Sequence, residues 1–559
     1  MSRQYRVVDH ILECFGDIGV GHIFGVDGAN IEDLYDAAYR HPGITAVVAK
    51  HEFSAATMAD GYSRSGAGLG VVAATSGGGA LNLVPGLAES LASRVPVLAL
   101  VGQPPAPMDG RGSFQDISGR NGSLDAETLF SAVSVFCRRI EKPDDIVGSL
   151  RCAIAAAHTG GPAVLLLPKD IQQAQVVNQR PVNGHGGNGR AAPGPGDPHP
   201  ILRALRGADG PVTIIAGEQV ARDDARTELW ALADLLGAQV ACVPDAKDVG
   251  GPDSSSDYAL TGVAGHPGVA ALVATSAVCL VVGTRLPVTA RSGIDAALAT
   301  VRTVSIGSAP PYLPCTHVHS DDLRASLAAL AHGLRGRAPG PRAPHRLRRE
   351  ELEPPRHHGP GVRYRDAMRV LDTVVPAGAD IVVDAGNTGA SALHYLPVRR
   401  DGRFIVALGM GGMGYSFGAG IGMAFGRARR TVVIAGDGAF FMHGMEIHTA
   451  LQYRLPVTFV LFNNNAHAMC VTREQLFYGD LYSYNRFRPS ELGTGLGAMF
   501  PGLPAAEVTE TGELPDALAS ALTTDGPAVV SIECSADEIP PFAPFLTAAK
   551  EDGYVTARA

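Results

Sequence analysis

Short apolar runs rich in strand-forming residues alternate with longer helix-like stretches along the whole chain. Ala46–Ala49, Gly70–Ala74, Val95–Val101 and Ala163–Leu167 are examples. A strand buried on both faces reads as such an unbroken run. Strands that alternate with helices pair in parallel, because each return crossover takes a helix's length of chain. The pattern predicts an α/β protein built of doubly wound, parallel-sheet domains. Asn183–Pro200 and Arg335–Gly361 interrupt it and read as linkers, the first rich in Gly and Pro and the second in Arg and Pro. They leave pieces at 1–182, 200–334 and 361–535, each the size of one α/β domain. A Pro-rich tail, 536–559, reads equally as a lid over a site and as a solvated end. The first and third pieces share a rhythm of strands and Gly-rich turns.

Composition narrows the class. Of 559 residues, 46% are hydrophobic and 18% charged, enough for several cores and incompatible with a disordered chain. The net charge of -9 gives no basic footprint for a nucleic-acid partner. Val269–Gly283, the longest apolar stretch, is too short to span a bilayer and carries Thr and Ser, so no membrane partner is expected. The first residues lack the apolar core of a secretory leader. Eight scattered cysteines without a CxxC pair suggest reduced thiols and a cytoplasmic location, and the 18 His form no HExxH spacing.

Two Gly-rich stretches compete as the chemical centre of the third piece. Phe404–Leu408 reads as a strand running into Gly409-Met-Gly411-Gly-Met-Gly414, literally G-x-G-x-x-G, with Asp437 about 20 residues on. That is the outline of a dinucleotide fingerprint, and it keeps an NAD-dependent oxidoreductase open as a remote alternative. The second stretch says more. Thr431–Ala435 reads as a buried strand ending in Gly436-Asp437-Gly438, Ala439–Tyr453 as a helix, and Pro456–Phe462 as a second strand ending in Asn463-Asn464. In one βαβ unit both strand ends reach the same sheet edge, where open α/β sheets bind ligands. Asp437 and Asn464 become neighbours there, hard oxygen donors suited to Mg²⁺ or Ca²⁺. Gly438 and the following helix N-terminus offer N–H groups to a diphosphate. GDG followed after 24 residues by NN matches the thiamine diphosphate motif.

With that motif in place, the whole chain resembles the thiamine diphosphate-dependent 2-oxoacid decarboxylase and carboligase superfamily, and most of all its acetolactate synthase branch. The residues that carry the likeness in the first piece are Lys50-His-Glu52, Ala59–Tyr62, Ala74–Gly77 with Asn82, Val101-Gly-Gln103, Phe114-Gln115 and Pro168–Gln172. In the third piece they are Gly411–Gly414, Gly436–Gly438, Phe462–Asn464 and Leu476-Phe-Tyr478. The resemblance implies a pyrimidine-binding first domain, a central domain and a diphosphate-binding third domain. It implies that Glu52 hydrogen-bonds the pyrimidine N1′ of the cofactor, and that Met413 is the wedge bending it while the Gly411 carbonyl accepts from its 4′-amino group. Asp437, Asn464 and the carbonyl of Ala466 would hold Mg²⁺. Gly386, Asn387, Gly436, Gly438, Ala439 and Met469 would complete the cofactor site. It also implies a homodimer or homotetramer, with Glu52 of one chain facing Asp437 of another.

Departures shift the expected reaction. The His-His pair of pyruvate-type decarboxylases is absent from the first piece, and Gln115 tilts the reading towards C–C bond formation. Thr472-Arg473 stands where acetolactate synthases carry Gln-Trp, and an Arg fork there suits an anionic acceptor as well as it suits solvent. The expected catalytic residues are therefore Glu52, Gln115 and Arg473. They would decarboxylate a 2-oxo acid such as pyruvate and pass the acyl carbanion to a second carbonyl compound, or else release a simple aldehyde. FAD in the central domain is the less favoured addition.

Overall fold

The computed structural model describes residues 4–177, 196–249, 258–336, 349–398 and 401–551. Three six-stranded sheets, parallel throughout, form three cores in chain order. The first comprises β1 (His22–Val26), β2 (Thr45–Val48), β3 (Gly70–Ala74), β4 (Val97–Gln103), β5 (Phe136–Arg139) and β6 (Pro162–Pro168), in spatial order 2-1-3-4-6-5. The central sheet holds β7 (Val212–Ala216), β8 (Gln239–Cys242), β9 (Tyr258–Leu260), β10 (Val278–Val282), β11 (Arg302–Gly307) and β12 (Thr316–His319), in order 9-8-7-10-11-12. The third holds β13 (Asp380–Val383), β14 (Phe404–Val406), β15 (Thr431–Gly436), β16 (Val457–Asn463), β17 (Ala505–Val508) and β18 (Ala528–Glu533), in order 14-13-15-16-18-17. The first and third sheets thus share one topology, which explains the shared rhythm of their sequences. The order that belongs to a dinucleotide fold is the central sheet's, not that of the sheet carrying G-x-G-x-x-G.

The first and third domains meet through two helices, α1 (Glu52–Arg64) and α4 (Tyr415–Arg427). Between them in sequence come α2 (Gly78–Ala92) and α3 (Asn387–Tyr395); α5 (Asp437–His443), α6 (Ala468–Phe477) and α7 (Ala543–Glu551) follow. Gly418, Gly422 and Gly426 recur every fourth residue of α4 and so share one face. Without side chains, Gly418 and Gly422 let α4 lie against the backbone of α1, and Gly426 lies against Ser65 and Ala67 just past its end. A Cβ on Gly422 would sit 2.7 Å from the carbonyl carbon of Met58, and one on Gly61 of α1 would sit 2.6 Å from Cα of Ala419.

Some local expectations shift. The helix expected over Ala439–Tyr453 begins earlier, at Asp437, and a 3-10 turn at Gly444–Glu446 splits it and turns the Glu446 carboxylate to the first domain. Most of the first linker lies outside the described residues, and its end is already helical from His199. The second linker is not loose over its described part. Arg349 donates to the His394 carbonyl at 3.0 Å, and the Leu352 N–H donates to His394 Nε2 at 2.8 Å. The tail is packed as far as it is described. Glu538 accepts the Tyr364 N–H at 3.2 Å, and Phe545 and Leu546 of α7 bury themselves with Leu476 of α6. Residues 552–559 lie outside the described range.

Candidate active site

The cleft at the carboxyl edge of the third sheet is built from strand ends. Parallel order brings the ends of β13, β15 and β16 side by side. A cavity there is lined by Gly386, Asn387, Met413, Gly436, Asp437, Gly438, Ala439, Asn464, Ala466, His467 and Met469, among others. Ten of the residues singled out from sequence therefore line one cavity. Gly411, Glu52, Gln115 and Arg473 do not line it.

Its donor set carries unmet demands. Asp437 is almost wholly buried, and its Oδ2 accepts the Ala466 N–H at 3.1 Å while Oδ1 has no partner. Burial pushes its carboxyl up to about 7, partly offset by backbone N–H groups. The Asn464 amide donates through Nδ2 to the Tyr364 hydroxyl at 3.2 Å, and its Oδ1 is likewise buried and unpartnered. A buried polar atom left without a partner costs about 1–3 kcal/mol, so orphaned oxygens from two adjacent strand ends mark a place for a ligand. Their chemistry suits a hard divalent cation. Asn465 bends the chain here with a φ of 52°, a left-handed conformation that Asn tolerates better than most residues. Asn387 is held by Thr472, whose hydroxyl accepts from its Nδ2 at 3.2 Å.

Glu52 stands apart from this cavity, buried on the first domain. It opens α1, and Asn82 of α2 donates to its Oε2 at 2.9 Å. Gly79 leaves room beside it: a Cβ there would sit 2.9 Å from Glu52 Oε1 and from the Thr75 methyl. Gln115 joins this corner, since Thr75 and Ser76 donate to its Oε1 at 3.2 and 3.4 Å. Its φ of 61° is a strained conformation of the kind that gathers at functional sites. Arg473 lies apart on the exposed side of α6, its guanidinium 5.5 Å from the Phe477 ring centre, with no ion pair among the described residues.

The G-x-G-x-x-G loop does not serve as a phosphate cradle. Glu89 accepts from the N–H groups of Gly409, Met410 and Gly411 at 3.1, 2.6 and 3.3 Å, and Asp384 accepts from Gly414 at 2.9 Å. With four of the six amides of Gly409–Gly414 committed to carboxylates, the loop is poorly furnished to cradle a dinucleotide's phosphates, and the oxidoreductase alternative loses its main support. A larger cavity of about 540 Å³ opens at the switch point of the central sheet, lined by Arg94, Arg222, Arg285, Glu218 and Asp245, with Gly283 at a strand end and Gly409 and Met410 of the Gly-rich loop on its wall.

Sequence reasoning missed Glu89, Glu446, Tyr364 and His467. Each is an ordinary helix or turn residue locally; the partners of the first three lie far along the chain, and His467 lines the cavity with a buried, unpartnered Nδ1.

A cleft with hard oxygen donors at the carboxyl edge of a parallel sheet, beside a Gly-rich loop, is the place where α/β enzymes of the cofactor-binding kind take their ligand. Family models agree domain by domain. "Thiamine pyrophosphate enzyme, N-terminal TPP binding domain" matches residues 5–122, the central domain of the same enzymes 199–322, and the C-terminal TPP binding domain 384–532. The chain belongs to the thiamine pyrophosphate enzyme family, in its acetolactate synthase branch, and is a thiamine diphosphate-dependent enzyme. Among its relatives, the acetolactate synthase isozyme 2 large subunit of Escherichia coli is 29% identical, covering 93% of this chain and 94% of that protein. A probable acetolactate synthase large subunit of Methanocaldococcus jannaschii is 27% identical over 94% of this chain and 91% of its own length. The chloroplastic acetolactate synthase of Arabidopsis thaliana is 27% identical over 95% and 81%. No described helix is long and apolar enough to cross a membrane.

Proposed function

We propose that the protein is a thiamine diphosphate- and Mg²⁺-dependent carboligase that decarboxylates a 2-oxo acid such as pyruvate and transfers the acyl carbanion to a second carbonyl compound. The observation that carries this reading is the pair of orphaned oxygens, Asp437 Oδ1 and Asn464 Oδ1, at adjacent strand ends. The names of the relatives supply the reaction type. When bound, the cofactor supplies the electron sink for the acyl carbanion.

The chain's own groups then divide the work. Asp437, Asn464 and the Ala466 carbonyl hold the metal. Gly386 and Asn387, with Gly436, Gly438 and Ala439, surround the diphosphate, and Met469 closes the cavity wall. Met413 props the cofactor, and the Gly411 carbonyl accepts from its 4′-amino group. Glu52 holds a proton against the pyrimidine N1′, with Asn82 keeping its carboxylate aimed. Gln115 and Arg473 face the substrates; the unpaired guanidinium favours an anionic acceptor. As the resemblance to this family implies, Glu52 of one chain faces Asp437 of another, so that a complete site takes two chains, a homodimer or homotetramer. The pieces 1–182, 200–334 and 361–535 serve as pyrimidine-binding, central and diphosphate-binding domains, in a cytoplasmic enzyme.

Mass spectrometry of products from the protein with thiamine diphosphate, Mg²⁺ and pyruvate, with and without aldehydes and 2-oxo acids, tests this. A hydroxyketone is expected; free acetaldehyde in every mixture would replace carboligation by simple decarboxylation. A second reading concerns the central cavity. Burial together with Arg222 and Arg285 lowers the pKa of Arg94, as expected of guanidinium groups gathered for an anion. A phosphate-bearing ligand such as FAD would fit that charge, and flavin absorbance of the purified protein decides it.

A further inference from the structure

The first and third domains hold each other by the backbone, and in both directions. Glu89, at the end of α2 and 2% exposed, reaches into the third domain and accepts the N–H groups of Gly409, Met410 and Gly411. Ser93 fixes its Oε1 with a further bond of 2.8 Å. Glu446, in the third domain and 1% exposed, reaches the other way. Its Oε1 accepts the N–H groups of Lys50 and His51 at 2.8 and 3.0 Å, immediately before Glu52, and Thr449 donates to its Oε2 at 2.8 Å. A carboxylate buried this deeply is stable only when its oxygens are satisfied, and charge-assisted bonds to backbone N–H groups are about twice as strong as neutral ones.

What each clamp holds gives the arrangement its meaning. Glu89 holds the Gly-rich loop that leads to Gly411 and Met413. Such a loop has many backbone conformations to lose, so a fixed anchor decides its position. Its glycines are needed for the approach: a Cβ on Gly409 would lie 2.6 Å from the Ala92 Cβ and 3.0 Å from Glu89 Oε1. Glu446 holds the turn that starts α1 and so sets the height of Glu52. Helix α2 joins the two places, since Asn82 near its start bonds Glu52 and Glu89 near its end bonds the loop.

We propose that Glu89 and Glu446 are reciprocal positioning residues, each a carboxylate of one domain that fixes the cofactor-facing backbone of the other. The functional weight of the proposal rests on the reading of Glu52, Gly411 and Met413 given above; the clamp itself does not.

The test begins on the cofactor-free protein, by amide hydrogen exchange. Glu89→Gln keeps the size of the side chain but turns an NH₂ group towards N–H donors. Exchange at Met410 and Gly411 is expected to speed up about tenfold or more, with strands β7 and β10 of the central domain unchanged. Glu446→Gln should do the same at Lys50 and His51. Gly409→Ala pushes on the same contact from the other side and should reproduce the Glu89→Gln pattern, which covers a Glu89 variant that folds poorly. On the loaded enzyme, exchange of the cofactor's C2 proton is expected to fall about tenfold or more in Glu89→Gln, as befits a reacting group displaced by a fraction of an ångström. Unchanged protection of Met410 and Gly411 would overturn the clamp. Lost protection with an unchanged C2 exchange rate would overturn the positioning role. Failure of the wild-type protein to bind thiamine diphosphate would instead overturn the cofactor reading, leaving the exchange result to judge the clamp alone.

Discussion

The seam between α1 and α4 makes a quantitative prediction through Gly422→Ala. At an open helical position this change stabilises by about 0.5–1 kcal/mol, because Gly gives up more backbone freedom on folding than Ala. Gly422 is not open. The new Cβ would lie 2.7 Å from the Met58 carbonyl carbon, and closer still to its oxygen, where ordinary contact begins near 3.4 Å. The obstacle is backbone, so no rotamer change relieves it and the helices must part by roughly 1 Å, the kind of overpacking that costs about 1–3 kcal/mol. At the upper end of that range, overpacking exceeds propensity and leaves a net loss of about 2 kcal/mol. For a cooperative unit of about 150–250 residues this lowers the melting temperature by roughly 4–8 °C. Gly148→Ala is the internal control. It lies in the exposed face of the helix Asp145–His158 with nothing near the new methyl, and there the melting temperature should hold or rise by a few degrees (about 1–4 °C). Calorimetry of both variants decides the matter. A Gly422→Ala protein that melts at or above the wild type would refute the close approach of the two helices.

Other expectations follow from single contacts. Tyr364→Phe removes the hydroxyl that accepts from Asn464 Nδ2, freeing the amide to turn; Mn²⁺ affinity by electron paramagnetic resonance should fall about 10–100-fold, and unchanged affinity would show that Tyr364 does not orient a metal ligand. Glu52→Gln should abolish most turnover while cofactor binding, followed by fluorescence quenching, stays within about threefold; wild-type turnover would remove Glu52 from the mechanism. His394 is buried with both ring nitrogens engaged, and burial holds its pKa down to about 4. The unfolded chain therefore binds the extra proton first, so the contribution of neutral His394 is complete above pH about 6.5 and is lost as pH falls towards 4. The stability gap between wild type and His394→Gln should narrow by about 3 kcal/mol over that window in denaturant titrations, and a constant gap would refute the assignment.

The chain's sequence by itself determined what depends on neighbours in sequence. Continuous apolar runs announced parallel strands, and strand boundaries shifted by only a residue or two, as with Val457–Asn463 against an expected Pro456–Phe462. The GDG and NN motifs were legible because one βαβ unit places both at the same sheet edge whatever the rest of the chain does. Asp437 and Asn464 were accordingly found from spacing alone, and their meeting in one cavity needed nothing further. The G-x-G-x-x-G loop was legible as a string and misleading as a dinucleotide site, because three of its amides are taken by Glu89, more than three hundred residues earlier in the chain. No local pattern announces such a partner. The same holds for Glu446 and the turn before Glu52, for Tyr364 behind Asn464, and for the dinucleotide-type strand order of the central sheet. Only the tertiary structure decided these. Which backbone donor meets which carboxylate is set by how closely two domains approach, and that distance is governed here by the missing side chains of Gly418, Gly422 and Gly426.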